Sequence, residues 1–318
     1  MVEKRPERIA VLLGGFSSER DVSLKTGKQI AQALADKGYQ VKEIDPAFQL
    51  VKSLQEFQPD VVFIALHGKF GEDGTIQGLL EILGFPYTGS GVLASALAMN
   101  KVMTKKILLS EGIETAPFHV FKKDDLKHKD LAQIAGEIIE HLEFPVVVKP
   151  ACQGSTIGVS VVRNLREFEA AVACAFQYDE VSFAEQFIEG VEVTASVLGT
   201  LNPQVLPLIE IISETGFYDY RAKYSAGLSR HIIPARIRPD VAKEVEAIAV
   251  RTYRALNCRH FARIDFIISN DGVPYVLEVN TIPGMTPTSL FPDAAQAAGI
   301  SFSDLVSRLV EEAWSSKK

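Results

Sequence analysis

The sequence predicts an α/β protein, with an open parallel α/β sheet at the N-terminus and smaller α+β lobes after it. Three observations carry this reading. Over the first hundred residues, short apolar runs of strand length alternate with longer amphipathic stretches of helix period. Glycine-rich loops leave two of those strands at their carboxyl ends, where open α/β sheets bind ligands. After about residue 100 the alternation gives way to strands joined by tight glycine-containing connections. A chain of 318 residues is long for one core. The expected division is 1–100, 101–183 and 184–318.

Each element has a local reason. Arg8–Leu13 reads as a buried strand ending in Gly14-Gly15. Ser17 or Ser18 is placed to cap the helix that follows, with Val22, Ile30, Ala33 and Leu34 on its apolar face and a stop at Gly38. Tyr39–Ile44 is a second strand. Val61–Leu66 is a third, apolar throughout and therefore expected to be covered on both faces. The loop His67–Gly74 leads into a helix ending at Leu83. A helix at Lys101–Glu111, a strand at Phe118–Phe121, a helix from Asp125 to Leu142 and a strand at Pro145–Lys149 come next. The glycine-containing loop Cys152–Gly158, a strand Val159–Val162 and a helix Arg166–Phe176 complete the second region. Val181–Gln186, Glu192–Leu198 and Val205–Ile212 read as strands, and Asp240–Leu256 and Ser303–Ala313 as helices. Between them, 213–227 is a polar, tyrosine-rich loop with little to pack, expected to act as a lid that orders on substrate binding.

The most telling pattern is the hairpin Phe261–Ile268 and Val273–Asn280, joined through Asn270-Asp271-Gly272. An Asp-Gly type I′ turn sets Asp265 opposite Glu278 and Arg263 opposite Asn280. Alternation then puts these four on one face, and Ile264, Phe266, Ile268, Leu277 and Val279 on the core face. A three-residue loop would instead slip the register. Two carboxylates roughly 5 Å apart repel unless a cation lies between them, and hard oxygen ligands at that spacing suit Mg²⁺ bound to nucleotide phosphates.

Composition narrows the function. Hydrophobic residues at 47% and charged residues at 23% describe an ordinary soluble domain protein. A net charge of −7 and a pI near 5.5 argue against a nucleic-acid surface. The three cysteines Cys152, Cys174 and Cys258 are too scattered for a disulfide framework or a zinc site. No run approaches a membrane span, and Ile9–Leu13 is too short for a signal peptide. The expectation is a cytoplasmic protein with no membrane partner.

Single motifs are weak. Lys149 at a strand end before Gly154–Gly158 can reach phosphate oxygens under closing loop amides, but it is equally a surface lysine before a turn, and the loop is not a Walker A motif. Gly14-Gly15 lacks the dinucleotide spacing. His67 alone reads as a structural loop histidine, and Glu19 alone as a favourable helix-dipole charge. Cys152 has two open readings. It is either a thiolate stabilised by a lysine and loop amides near the phosphate path, or a small inert residue under the loop.

Together these features favour ATP chemistry, and longer segments make the match specific. LLGGFSSERDVS, ALHGKFGEDGTIQGLLEILGFPYTGSGVLASALAMNK, VVVKPACQGSTIGVS, FYDYRAKY, RIDF and LEVNTIPGMTPTSL occur in one order over residues 8 to about 308. In these segments the chain resembles the D-alanine–D-alanine ligase family of the ATP-grasp fold. The resemblance implies an N-terminal Rossmann-like substrate-binding domain, a central ATP-grasp lobe and a C-terminal ATP-grasp lobe holding the metal site. It implies ligation of two D-alanines through an acyl phosphate for peptidoglycan synthesis, and a homodimer.

The roles it implies follow residue by residue. Asp265, Glu278 and Asn280 would hold two Mg²⁺ (or Mn²⁺) ions, Lys101 and Lys149 the ATP phosphates, and Glu185 and Glu192 the adenine and ribose. Glu19 would bind the ammonium of the first D-alanine, with His67 near its carboxylate. Ser289 and the Leu290 backbone would bind the second. Arg263 and the Gly284 N–H would stabilise the tetrahedral oxyanion. Ser155 and Tyr224 would join Glu19 in closing the site against water. Asn100, where the family often has aspartate, and Cys152 are departures. Tyr224 in its Ala-Lys-Tyr context favours a dipeptide ligase over enzymes attaching D-lactate or D-serine. Another ATP-grasp carboxylate ligase and a non-catalytic nucleotide sensor stay as alternatives. The first should lack the Glu19 segment, and the second has no need of Arg263.

Overall fold

The computed structural model describes residues 5–154, 156–213, 229–286 and 289–316. Ser155, Tyr224 and nearly all of loop 213–227 lie outside them. The first sheet is parallel, in the order β2 (Gln40–Ile44), β1 (Arg8–Leu12), β3 (Val61–Ile64). Strand β3 and, from Ile9 on, strand β1 are apolar and buried because both of their faces are covered, whereas β2 is polar and only partly buried at the edge. Ile9, Val11, Val61 and Phe63 pack on Ile30 and Leu34 of α1 (Arg20–Asp36). Ala10, Leu12, Val62 and Ile64 pack on Leu54 of α2 (Leu50–Phe57) and Ile76 and Leu80 of α3 (Thr75–Leu83). The first face is completed from the far end of the chain, by Leu305, Leu309 and Val310 of the last helix, Phe302–Ser315.

Two helices follow, α4 (Val92–Met99) and α5 (Lys101–Ser110). Asn100 caps α5, its side chain accepting from the Met103 N–H at 3.0 Å. Asparagine serves here as well as the family's aspartate, since either side-chain oxygen satisfies a free helix N–H.

The second sheet is antiparallel, in the order β4 (Phe118–Lys122), β7 (Val181–Gln186), β5 (Val146–Pro150), β6 (Ser160–Val162). Behind it lie α6 (Leu131–Ile139) and α7 (Leu165–Ala175). The single helix expected over 125–142 is instead a 3₁₀ turn, Lys123–Lys127, followed by α6. Asp130 restarts the helix: it accepts from the Gln133 N–H at 2.8 Å, and Gln133 reaches back to the Asp130 N–H at 3.0 Å. This reciprocal capping makes a helix start, not an interior turn.

The third sheet runs β11 (Ser229–Ile232), β10 (Ile209–Ser213), β8 (Gly190–Leu198), β12 (Phe261–Ser269), β13 (Pro274–Asn280), with β9 (Gln204–Val205) also on β8. The continuous strand expected at Val205–Ile212 is split into β9 and β10 around Pro207, which has no N–H for the ladder. On one face, Val193, Ala195, Ile264 and Phe266 pack against Ala94 and Ala98 of α4, Leu108 of α5, and Val245 and Ala249 of α8 (Pro239–Ala255). Helix α9 (Leu290–Ala297) and the last helix, α10, were separated only by the Gly299 turn.

The hairpin departs from its expected form twice. The Ser269 N–H donates to the Val273 carbonyl, and only Gly272 has positive φ (+91°), so the loop has three residues. That slips the pairing by one, to Ile268↔Pro274 and Ile267↔Tyr275. A bulge between Asp265 and Phe266 slips it back, restoring Asp265↔Glu278 and Arg263↔Asn280. Val276 consequently joins the core, and Leu277, expected there, lines the cavity described below.

One buried histidine ties the sheets. His260 accepts the Gly89 N–H on Nδ1 at 3.0 Å, and its Nε2 lies 3.2 Å from Ser316 Oγ. Burial, with the Arg259 charge, pushes His260 down to about 3. The unfolded chain takes up this proton below its ordinary pKa of about 6.5 and the folded one does not, so stability falls as pH drops from 6.5 towards 3. Urea unfolding should show about 2 kcal/mol lost between pH 7 and pH 5 through this group. Much of that pH dependence should disappear in His260→Gln; an unchanged pH dependence would assign it elsewhere.

Candidate active site

A cavity of about 560 Å³ lies between the second and third sheets. Lys149 enters it from the end of β5, Glu185 from β7, Glu192 from β8, Asp265 from β12, Glu278 from β13 and Lys101 from the start of α5. Six residues expected from the sequence to serve nucleotide and metal therefore share one cavity. Ile188, Val191, Ile267 and Leu277 supply apolar wall suited to a flat base.

Asp265 is buried and saturated with donors. Arg263 makes a fork on it, Nε to Oδ1 at 2.8 Å and Nη2 to Oδ2 at 2.7 Å. Thr194 Oγ donates to Oδ1 at 2.6 Å, and Asn280 Nδ2 to Oδ2 at 3.2 Å. Across the strand pair, Glu278 has the Lys101 ammonium at 3.2 Å. Arginine and lysine thus neutralise the carboxylate pair, as the repulsion argument required. Among the described residues no three His, Cys, Asp or Glu side chains cluster as a complete metal site. Two carboxylates and an amide fit a hard divalent ion that takes its remaining ligands from phosphate and water.

Glu185 has two lysines. Lys149 Nζ lies 2.5 Å from Oε1 and Lys105 Nζ 2.8 Å from Oε2, with Lys105 wholly buried. Burial opposes ionisation, but the two ammonium charges hold Glu185 down at about 2. Burial likewise works against the Lys149 charge, and Glu185 outweighs it, raising that lysine. Here Glu185 is a charge partner of Lys149 as well as a cavity wall.

A second cluster adjoins the cavity through Lys101, whose ammonium donates to the Gln153 carbonyl at 2.6 Å. The next residue, Gly154, lies against Glu19: a Cβ there would be 3.2 Å from Glu19 Oε2. Gly68 comes closer still, at 2.8 Å and with φ +69°, so only glycine suits it. Glu19 occupies the position before α1 and is buried; Ser17 accepts its N–H and donates to the His67 carbonyl. Neither Ser17 nor Ser18 caps the helix by its side chain.

His67 is buried, with Nδ1 3.5 Å from Glu72 Oε1 and a hydrogen bond to the Ile282 backbone. Burial pulls its pKa down, and the Glu72 hydrogen bond and charge outweigh this to raise it, favouring imidazolium. Past Ile282, Gly284 lies against Ser289, whose Oγ accepts the Thr286 N–H at 3.0 Å. Ser289 and Leu290 open α9. Gly154, Glu19, His67 and Ile282 thus bring all three sheets to one place.

Sequence reasoning missed Lys105, Glu72, Thr194 and the Gln153 carbonyl. Two carried a signal: Lys105 is one helical turn after Lys101, and Glu72 sits inside the HGKFGEDG loop. Thr194 shows only through the β8–β12 pairing that sets it opposite Asp265.

For Cys152 the structure contradicts the placement under the loop, since the residue is exposed, but supports an inert thiol. Its N–H donates to Asp179 Oδ2 at 2.8 Å. Partial desolvation of the thiol and the Asp179 charge push it up to about 11, outweighing Lys101. Peptide mapping after a short iodoacetamide pulse at pH 7.5 should find Cys152 modified more slowly than in the urea-unfolded chain, with Cys152→Ser fully active. Labelling faster than in the unfolded chain would restore the thiolate.

Known proteins match this chain over nearly its whole length. Residues 45–90 match the family described as the D-ala D-ala ligase N-terminus, and residues 107–311 the D-ala D-ala ligase C-terminus. A D-alanine--D-alanine ligase of Pelotomaculum thermopropionicum is 54% identical over 304 residues, spanning 96% of each chain. The Bacillus anthracis D-alanine--D-alanine ligase complexed with ATP superposes with a TM-score of 0.82 at 34% identity, covering 98% of each chain. The Enterococcus faecalis VanG D-Ala:D-Ser ligase superposes with a TM-score of 0.82 at 31% identity, covering 97% of this chain and 100% of that one.

Proposed function

The chain belongs to the D-alanine–D-alanine ligase family, with the ATP-grasp fold, and we propose that it joins two D-alanines with ATP in peptidoglycan precursor synthesis. The products are ADP, phosphate and D-alanyl-D-alanine. The observation that carries this reading is the single cavity shared by Lys101, Lys149, Glu185, Glu192, Asp265 and Glu278, opening towards the Glu19–His67 cluster.

A carboxylate does not accept an amine directly, so the first D-alanine is activated as its acyl phosphate. Glu19 holds its ammonium, and His67, kept towards its protonated form by Glu72, faces its carboxylate. Lys149 and Lys101 take the ATP phosphates, Glu185 and Glu192 the adenine and ribose. Asp265, Glu278 and Asn280 are the donors for two magnesium or manganese ions, which when bound cancel charge on the transferring phosphoryl group. The second D-alanine, its carboxylate on Ser289 and the Leu290 N–H, attacks through its amine. Arg263 and the Gly284 N–H stabilise the oxyanion that forms. Ser155 and Tyr224, outside the described residues, close the site in this reading on the strength of the resemblance alone. The three parts 1–100, 101–183 and 184–318 are read as substrate-binding domain, central lobe and C-terminal lobe.

The likeness to a D-Ala:D-Ser ligase makes the second substrate the point to test. ADP release with D-alanine alone should exceed that with L-alanine by about a hundredfold or more, the scale of one lost buried hydrogen-bonding or charge contact in a site built for it. D-serine or D-lactate should add little beyond D-alanine itself. Equal rates with D- and L-alanine would overturn the reading. We also propose a cytoplasmic homodimer, to be checked by light scattering. No helix among the described residues is long and apolar enough to cross a membrane.

A further inference from the structure

Lys105 has no place in the reaction as derived, yet it is a lysine with no exposed side-chain surface. It does not line the nucleotide cavity. Burying an ammonium is costly unless it is paired and hydrogen-bonded. Its ammonium donates to Thr115 Oγ at 2.6 Å, which in turn donates to the Val276 carbonyl of β13 at 2.8 Å. The Phe118 ring lies beneath it at 5.2 Å. Thr115 and Phe118 thus fix the ammonium from the second and third sheets at once.

Its charge is spent on Glu185. Glu185 Oε2 is buried, and Lys105 Nζ stands 2.8 Å from it. Lys105 therefore acts on this oxygen as a fixed positive charge. The other oxygen, Oε1, is held by Lys149, which does face the cavity. Lys149 cannot serve phosphates fully while it is the only counter-charge of a buried carboxylate. Were it to turn to the triphosphate, Glu185 would be left ionised and unpaired in the interior. With Lys105 in place, the departure of Lys149 leaves a neutral, buried Glu185–Lys105 pair.

We propose that Lys105 is a positioning residue that holds the charge of Glu185, so that Lys149 is released from that carboxylate to bind the triphosphate of ATP. The proposal rests on the nucleotide assignment above, and its effect belongs to ATP affinity rather than to the amino-acid sites.

The test compares wild type, Lys105→Met and Lys105→Gln. The dissociation constant of a non-hydrolysable ATP analogue with Mg²⁺ is read by calorimetry, alongside KM for ATP, KM for D-alanine and the thermal midpoint. Lys105→Met and Lys105→Gln should each weaken nucleotide binding by about tenfold to a hundredfold, the scale of one to two charge-assisted contacts, and leave KM for D-alanine within about threefold. Lys105→Gln keeps a donor for Thr115, so it carries the test if the methionine variant does not fold. Affinity for adenosine, read by competition, should change by less than about threefold in each variant, because Lys149 serves only the phosphates. Unchanged affinity in folded Lys105→Gln, or a loss of adenosine affinity equal to that of the triphosphate analogue, would overturn the proposal. A wild type that binds the analogue but releases no ADP with D-alanine would refute the ligase reading while leaving the Lys105 result interpretable.

Discussion

Asp265→Asn and Glu278→Gln should each lower kcat by about a thousandfold, and the double variant should lose little beyond either single one. Removal of one preorganised electrostatic group costs on this scale, and groups acting as one unit are strongly non-additive. The two carboxylates face each other across β12 and β13 because the bulge returns them to register, so a shared ligand-binding unit follows from backbone geometry. Both substitutions keep side-chain volume. Calorimetric titration with Mn²⁺ in the presence of a non-hydrolysable ATP analogue should show weakened metal binding in each variant. Multiplicative losses in kcat, or metal binding equal to wild type, would count against a shared site.

The second large effect is expected at Arg263. Its guanidinium grips Asp265 with two parallel hydrogen bonds while standing on the face that carries Glu278 and Asn280. Lysine keeps the charge but not the fork. Arg263→Lys should therefore lower kcat by roughly a hundredfold to a thousandfold, the loss typical of an oxyanion donor. The affinity for the nucleotide analogue should change by less than about fivefold, because the charge it answers develops in the transition state. A collapse of nucleotide affinity equal to the loss in kcat would make Arg263 a support for Asp265 only.

Much of this was legible because it is local. The fold class followed from apolar periodicity, and the family from long motifs whose residues sit close together in the chain. The opposition of Asp265 and Glu278 was also read correctly, but through two offsetting departures. A two-residue turn was read where the loop has three, and no bulge was foreseen. Residue type at Asp271-Gly272 admits both turns, while the bulge leaves Leu277 of β13 unpaired, which no local residue type signals. The misplacement of Leu277 in the core followed directly.

Sequence alone determined the class of fold and the family, and singled out six charged side chains that the fold brings to one cavity, since turn chemistry, periodicity and motif spacing act over a few residues. Tertiary structure alone decided how those charges are balanced. Only folding brings Lys105 from α5 to Glu185 on β7, Thr194 on β8 to Asp265, Gly154 to Glu19, and the C-terminal helix to one face of the first sheet. A buried charge is tolerable only beside its partner, and here the partners come from segments about seventy to eighty residues away or more along the chain, whose approach no local pattern encodes.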